Sequence, residues 1–178
     1  GARARWGRLA AALWATRSGG DQAALNLGLH ALGQGELDRA DVWLSRPERG
    51  AVGAYAQLGR ALVAVLRGEH DRAEALLVTA ADRSRPLQGE VDGVRLLLVL
   101  RRQGPQAAVS LGERLGGSGA LALGVLAAAR RQLGDEAGVR GLLERGLGLA
   151  LSATRLVQAI PELRDLAALD NRPENGAY

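Results

Sequence analysis

The sequence predicts an all-helical fold, and two features of its pattern support that prediction. Between glycines and prolines, apolar residues recur at intervals of three and four, and no stretch alternates strictly between apolar and polar residues. The apolar residues, 47% of the chain, are mostly Leu, Val and Ala, because Phe, Met and Cys are absent and only five residues are aromatic. Ala and Leu are among the residues with the highest helix propensity, so this composition suits closely packed helices. A chain of 178 residues is long enough to form one compact domain with its own core.

The predicted helices are short and are separated by tight turns. Their ranges are 3–17, 21–33, 36–45, 51–66, 70–83, 87–102, 106–115, 119–132, 135–149 and 152–158, followed by a short helix over 161–169. Asp21, Asp71 and Asp135 stand where helix N-terminal caps are needed, because a carboxylate can accept hydrogen bonds from free amides. Helices of this length joined by short loops are expected to pack as antiparallel hairpins.

The turns recur at a regular spacing along the chain. Residues 35–40 and residues 68–73 share the pattern Gly-Glu-x-Asp-Arg-Ala. Turn glycines follow at Gly35, Gly68, Gly104 and Gly134, and their mean separation of about 33 residues is the length of one helix pair. The sequence therefore predicts a stack of about four helix pairs rather than a closed bundle.

Small and large residues stand at fixed distances from these turn glycines. Seven residues before the glycine are Gly28, Ala61, Leu97 and Ala127; five after it are Ala40, Ala73, Val109 and Val139; nine after it are Leu44, Leu77, Glu113 and Leu143. This pattern resembles the tetratricopeptide-repeat family. The first two units match well, the fourth fairly and the third poorly, since Leu97 is bulky where a small residue is expected.

The resemblance implies a right-handed α-solenoid of about four helix-turn-helix repeats over residues 21–150. A generic helical array is the alternative, because other helix-pair repeats share the pattern of small and large residues. The whole chain, 1–178, is predicted to be one repeat domain, with an N-terminal capping helix over 1–20, a C-terminal cap over 151–170 and a frayed polar tail over 171–178.

Glycines inside the predicted helices need a separate explanation. Each costs about 1 kcal/mol relative to Ala in a helix interior, so some of them are expected to mark close helix crossings. The positions are Gly28, Gly59, Gly124, Gly141, Gly146 and Gly148.

The sequence contains no pattern that predicts catalysis. His30 and His70 are its only histidines, and neither has a partner at a recognised catalytic spacing. Without cysteine there is no thiolate metal site, and two distant histidines are too few ligands for a metal. The glycine-rich segment 112–119 lacks the Gly-Lys-Ser/Thr ending of a phosphate-binding loop. We therefore expect no enzyme activity, no metal and no cofactor.

Candidate partner-binding residues lie in the first helix of each pair, which lines a concave groove in tetratricopeptide-repeat proteins. Arg101 and Arg131 both stand three residues before a turn glycine, where the earlier units have Leu32 and Val65. The resemblance thus implies a groove that is apolar at one end and cationic at the other. The groove candidates are Asn26, Tyr55, Arg95, Arg101 and Arg131. The alternative is that the two arginines only complement helix dipoles, which is worth about 0.3 to 1 kcal/mol each.

The charge of the chain bears on the kind of partner. All 23 basic residues are Arg, and the net charge is +4. Arg makes planar, bidentate contacts with carboxylates and phosphates. Direct nucleic-acid binding is a competing interpretation, but acidic residues are spread throughout and five aromatics are too few for a base-stacking platform.

The expected function is a protein-protein interaction scaffold that binds a peptide or protein, preferably an acidic one, in its concave groove. The alternative is a helical regulatory or sensory module of a bacterial transcription factor. The longest strongly apolar run, 96–100, is far too short to span a bilayer, and no leader-like segment opens the chain. We therefore expect a cytoplasmic, bacterial protein with no membrane partner.

Overall fold

The computed structural model describes residues 17–116, 119–143 and 159–170, and all regular structure within these ranges is helical. The helices are α1 (Arg17–Gly33), α2 (Leu37–Leu44), α3 (Gly50–Arg67), α4 (His70–Arg83), α5 (Gln88–Gln103), α6 (Pro105–Leu115), α7 (Ala120–Gln132), α8 (Glu136–Leu143) and α9 (Pro161–Asp170). A single turn of 3-10 helix, Arg85–Leu87, precedes α5. The predicted all-α fold is confirmed for these residues.

Some predictions concern segments outside the described residues. These are the helix over 3–16, the part of the helix 135–149 beyond Leu143, the helix over 152–158 and the tail over 171–178, together with Gly146 and Gly148.

The predicted break before residue 21 is wrong. Helix α1 runs from Arg17 through Gly19 and Gly20, neither of which has a positive φ, so Asp21 lies inside the helix and caps nothing. Glycine permits both helical and left-handed backbone, and both glycines are helical here. Asp135 does cap a helix, since its Oδ1 accepts a hydrogen bond of 2.9 Å from the backbone N–H of Gly138.

Consecutive helices pack in pairs, α1 with α2, α3 with α4, α5 with α6, and α7 with α8. The first helices of the pairs also pack on one another in the order α1, α3, α5, α7. The second helix of each of the first three pairs packs on the first helix of the next pair. Each pair therefore buries its apolar faces against its neighbours along the chain.

Three of the four turns inside the pairs have the same geometry. Gly35, Gly68 and Gly134 adopt left-handed φ angles of 76°, 77° and 77°. In each case the next N–H donates to a carbonyl five residues back, at 2.9, 2.9 and 3.0 Å, which closes the end of the helix. Gly104 differs, with φ 91° and ψ 177°, and Pro105 starts the next helix at once. The turn of the third pair thus differs from the other three, because a proline disfavours helical backbone at the residue before it.

Close helix crossings account for several of the glycines. A Cβ at Gly28 would lie 2.5 Å from Leu44 Cγ on the other helix of the same pair, and one at Gly59 would lie 3.0 Å from Leu44 Cδ1 of the preceding pair. Gly93, which the sequence did not single out, lets α5 approach α7, because its Cβ would be 2.7 Å from Leu121 Cγ. Gly141 marks no crossing, since its Cβ would meet nothing within 4 Å.

Of the helices within the described ranges, none is sufficiently long and apolar to traverse a bilayer.

Candidate protein-binding face

The first helix of each pair carries one residue three positions before its turn glycine. We call these four residues the inner row: Leu32, Val65, Arg101 and Arg131. Leu32 and Val65 are fully buried, Arg101 is half-buried and Arg131 is exposed. The side chains therefore change from apolar and covered on α1 and α3 to cationic and more accessible on α5 and α7.

Arg101 is the best-connected member of the inner row. Its Nε and Nη2 donate to the two carboxylate oxygens of Glu162, at 2.8 and 3.0 Å, and its Nη1 lies 3.5 Å from the backbone oxygen of Val65. The side chains of Arg101 and Glu162 are only 24% and 19% exposed, so water screens this pair weakly. Bidentate pairs of this kind are among the stronger polar contacts in proteins. One guanidinium group thus joins α3, α5 and α9.

Helix α9 brings an apolar side to the same face. Ile160 just before it and Leu163 and Leu166 within it are fully buried, and α9 packs against α7. Glu162 stands in its first turn, where a negative charge also favours the helix dipole. Arg101 therefore has a counter-charge, which a residue 61 positions further along the chain supplies.

Arg95 does not join Arg101 and Arg131. It stands nine residues before its turn glycine, as Gly59 does, and Gly59 faces Leu44 of the preceding pair. Arg95 likewise lines a groove of about 180 Å³ that includes residues of α4 and α6. Six residues along a helix rotate a side chain by about 240°, so Arg95 and Arg101 point to different sides of α5. Arg95 therefore does not share a face with Arg101, although both were predicted to line one groove.

The immediate partner of Arg95 is Asp92 on its own helix, with Nη1 and Oδ1 3.3 Å apart. Asp92 is buried and also accepts a hydrogen bond of 2.9 Å from Gln88 Nε2. The charge of Arg95 is therefore partly neutralised within α5.

Asn26 and Tyr55 lie on the first two pairs and are accessible. Asn26 is exposed and accepts a hydrogen bond of 3.3 Å from Gln22 Nε2 one turn earlier on α1. It stands nine residues before Gly35, so it shares the position of Arg95 rather than that of Arg101. Tyr55 on α3 is 44% exposed, which is unusual for a large side chain in this otherwise well-covered helix.

The structure explains the neighbouring arginines by contacts that the sequence did not predict. Each junction between consecutive pairs is bridged by an arginine near the end of a first helix and a carboxylate on the preceding second helix. The bridges are Arg67 with Asp38, Arg102 with Asp71 and Glu74 (both at 3.8 Å), and Arg130 with Glu113 (3.7 Å). Asp38 and Asp71 thus contribute to the contact between units, whereas a capping role had been expected for Asp71.

Asp41 on α2 is a second polar contact between the first two pairs. Its carboxylate accepts from Arg60 Nε at 3.1 Å and Arg72 Nη2 at 2.6 Å, and Arg67 Nη1 lies 3.4 Å away. Burial acts to raise the pKa of Asp41, but the hydrogen bonds from Arg72 and Arg60 outweigh it and hold the pKa below its usual range. The hydrogen bond to Asp41 raises the pKa of Arg72 in turn.

Known proteins offer no identification. No protein-family model, curated protein or solved structure matches the chain.

Over the ranges 17–116, 119–143 and 159–170, no three or more His, Cys, Asp or Glu side chains are grouped so that they could hold a metal ion. At the inner row, Arg101 already binds a carboxylate and Arg131 on α7 is exposed. Helix α9 buries apolar side chains on the same face. Such an arrangement can bind an acidic amphipathic segment.

Proposed function

We propose that the chain is a tetratricopeptide-repeat-like scaffold, a right-handed α-solenoid that binds a protein partner through its inner row. Support for the architecture comes from the order of helix contacts, α1 to α3 to α5 to α7, and from the equal geometry of the turns at Gly35, Gly68 and Gly134. Repeat proteins of this kind bury a continuous core between neighbouring units and leave an extended surface for partners.

The observation that best supports protein binding is the bidentate ion pair between Arg101 and Glu162. Helix α9 is held on this face. Its first turn carries the carboxylate of Glu162, and its Leu163 and Leu166 are fully buried. A surface that binds such a segment of its own chain has the charge and the apolar area to bind a similar segment of a partner. We therefore propose an acidic, amphipathic helix as the ligand.

Nucleic-acid binding receives less support because many arginines are already paired. Eight arginines of the described segments lie within ion-pair distance of carboxylates, so a phosphate would have to compete with those carboxylates for them. A phosphate-binding surface needs several free cations on one side, because affinity grows with the number of phosphates neutralised.

Selection of peptides on the immobilised full chain tests this proposal. Random peptides of about 12 residues, the length of an average helix, are selected at about 0.15 M salt, where the Debye length is about 8 Å. We expect the enriched peptides to combine carboxylates with apolar residues at helical spacing. Their affinity, measured by fluorescence anisotropy, should fall about two- to fivefold for Arg131→Gln, since an exposed ion pair is worth up to about 1 kcal/mol.

Arg140→Gln is the matched control, because Arg140 is also an exposed arginine but lies on α8, a second helix of a pair. It should bind the selected peptides like the unmodified chain. Failure to enrich any sequence, or equal loss of affinity in both variants, would contradict the proposal. A DNA duplex that displaces the selected peptides at this salt concentration would favour nucleic-acid binding instead.

A further inference from the structure

We infer that α9 is an intramolecular ligand of the inner row, and that the partner carries the same signature: a glutamate followed by leucines one and four residues later on an amphipathic helix. This inference rests on the proposed function, because it names the ligand class and the regulation of the same face. The residues of α9 that define the signature are Glu162, Leu163 and Leu166.

The first argument is that α9 depends on its docking contacts for its structure. It has 10 residues, and isolated helices shorter than about 12 residues are marginal in water. Among the residues of α9 whose burial the structure describes, Leu163 and Leu166 are buried, Glu162 is held by Arg101, and Pro161 and Arg164 are exposed. Loss of these contacts would release α9 as a unit without breaking the contacts within the four helix pairs.

The second argument is that α9 leaves part of the inner row unused. Arg131 lies on α7, the first helix of the next pair, three residues before its turn glycine as Arg101 is, and it is exposed. Within the described residues it has no ion-pair partner. A partner helix with a second carboxylate can engage both arginines, whereas α9 engages one.

This difference allows exchange between the two ligands. A segment of the same chain competes at an effective concentration in the millimolar range when its linker can span the sites. A partner can displace it only if it binds the open face better than α9 does. An additional ion pair with Arg131 would give the partner this higher affinity. Weakly binding apolar ligands would not displace α9.

The test uses the full chain and a fluorescein-labelled peptide with the sequence of residues 159–170. Glu162→Gln removes the charge that Arg101 holds, and Glu136→Gln, an exposed glutamate on α8, is the control for the same change of charge. We expect Glu162→Gln to bind the peptide about tenfold more tightly than the unmodified chain, because its own α9 competes less. Glu136→Gln should bind it like the unmodified chain.

Two further readouts separate release of α9 from general destabilisation. Hydrogen exchange of the amides in 161–170 should be about tenfold faster in Glu162→Gln, with α3 and α4 unchanged. A second peptide in which the glutamate corresponding to Glu162 is replaced by Gln should bind the Glu162→Gln chain several-fold more weakly than the first peptide. This second peptide tests the role of the carboxylate without any change to the fold.

Three outcomes would overturn the inference. Uniformly faster exchange in all helices would mean that α9 is part of the cooperative core. Local opening of α9 without tighter peptide binding would mean that the face beneath it accepts no second helix. Equal affinity of the two peptides would remove the role of the carboxylate. If selected library peptides bind while the 159–170 peptide does not, the inference fails and the proposed function stands; if no peptide binds any variant, both fail.

Discussion

Replacing Gly28 with Ala tests whether the small residue seven positions before a turn glycine is required for the close approach of two helices. The added Cβ would lie 2.5 Å from Leu44 Cγ and 3.2 Å from the Leu44 backbone nitrogen. Leu44 is fully buried and also packs against Gly59, so its side chain has little room to move. Overpacking of this kind costs about 1 to 3 kcal/mol.

The same substitution brings a compensating gain, because Ala is about 1 kcal/mol better than Gly in a helix interior. We therefore expect Gly28→Ala to lower the free energy of unfolding by about 1 kcal/mol. Gly141→Ala is the matched control, since a Cβ at Gly141 on α8 would contact nothing within 4 Å. It should raise the free energy of unfolding by up to about 1 kcal/mol.

Removing the obstructing side chain should reverse the sign of the effect. Leu44→Ala alone is expected to cost about 2 to 5 kcal/mol, but in that background Gly28→Ala should stabilise the protein by about 1 kcal/mol. Urea unfolding followed by far-ultraviolet circular dichroism measures all four members of this cycle. If Gly28→Ala stabilises the otherwise unmodified chain as much as Gly141→Ala does, the close crossing of α1 and α2 is refuted.

Two further predictions concern contacts between pairs, and a third concerns the helix content. Asp41→Asn should lower the free energy of unfolding by about 2 kcal/mol at neutral pH, because hydrogen bonds from arginines to a partly buried carboxylate are lost. Asp41 has a lowered pKa in the folded state, so its contribution to stability is complete above the unfolded pKa of about 3.9 and is lost as pH falls through the folded pKa. In urea unfolding, the difference in free energy of unfolding between Asp41→Asn and the unmodified chain should therefore shrink below about pH 4. A difference that does not change with pH would contradict this. Gly93→Ala should destabilise more than Gly28→Ala, since its Cβ would lie 2.9 Å from the backbone nitrogen of Ala122 as well as close to Leu121, and an increase in melting temperature would contradict the α5–α7 contact. Far-ultraviolet circular dichroism should indicate helix for about two-thirds of the residues or more, and a dominant strand signal would contradict the fold.

The helices and most turns could be predicted because they depend on local sequence. The spacing of apolar residues and the conformational freedom of glycine located the turns at Gly35, Gly68 and Gly134, and all three have left-handed φ angles. The same reasoning failed at Gly19 and Gly20, where the helix continues and Gly20 is buried. A glycine pair permits a break but does not require one.

The candidate site was less predictable because its partners are distant in sequence. Glu162 lies 61 residues from Arg101, and no local pattern relates the two. The direction of Arg95 was within reach of the sequence, since it shares its position relative to the turn with Gly59, a residue whose lack of a side chain suggests contact with another helix. The bridge between Asp38 and Arg67 could also have been suspected from the repeated Asp and Arg around the turns.

Photo-crosslinking tests most directly whether the inner row binds an acidic helical segment. The peptide of residues 159–170, with a photoreactive group in place of the side chain of Leu163, is added to the full chain carrying Glu162→Gln, and cross-linked residues are identified by mass spectrometry. We predict cross-links on α7 and on the C-terminal end of α5 near Arg101, where α9 itself packs. Cross-links concentrated on α4 and α6, around the groove of Arg95, or spread evenly over the surface, would contradict the account.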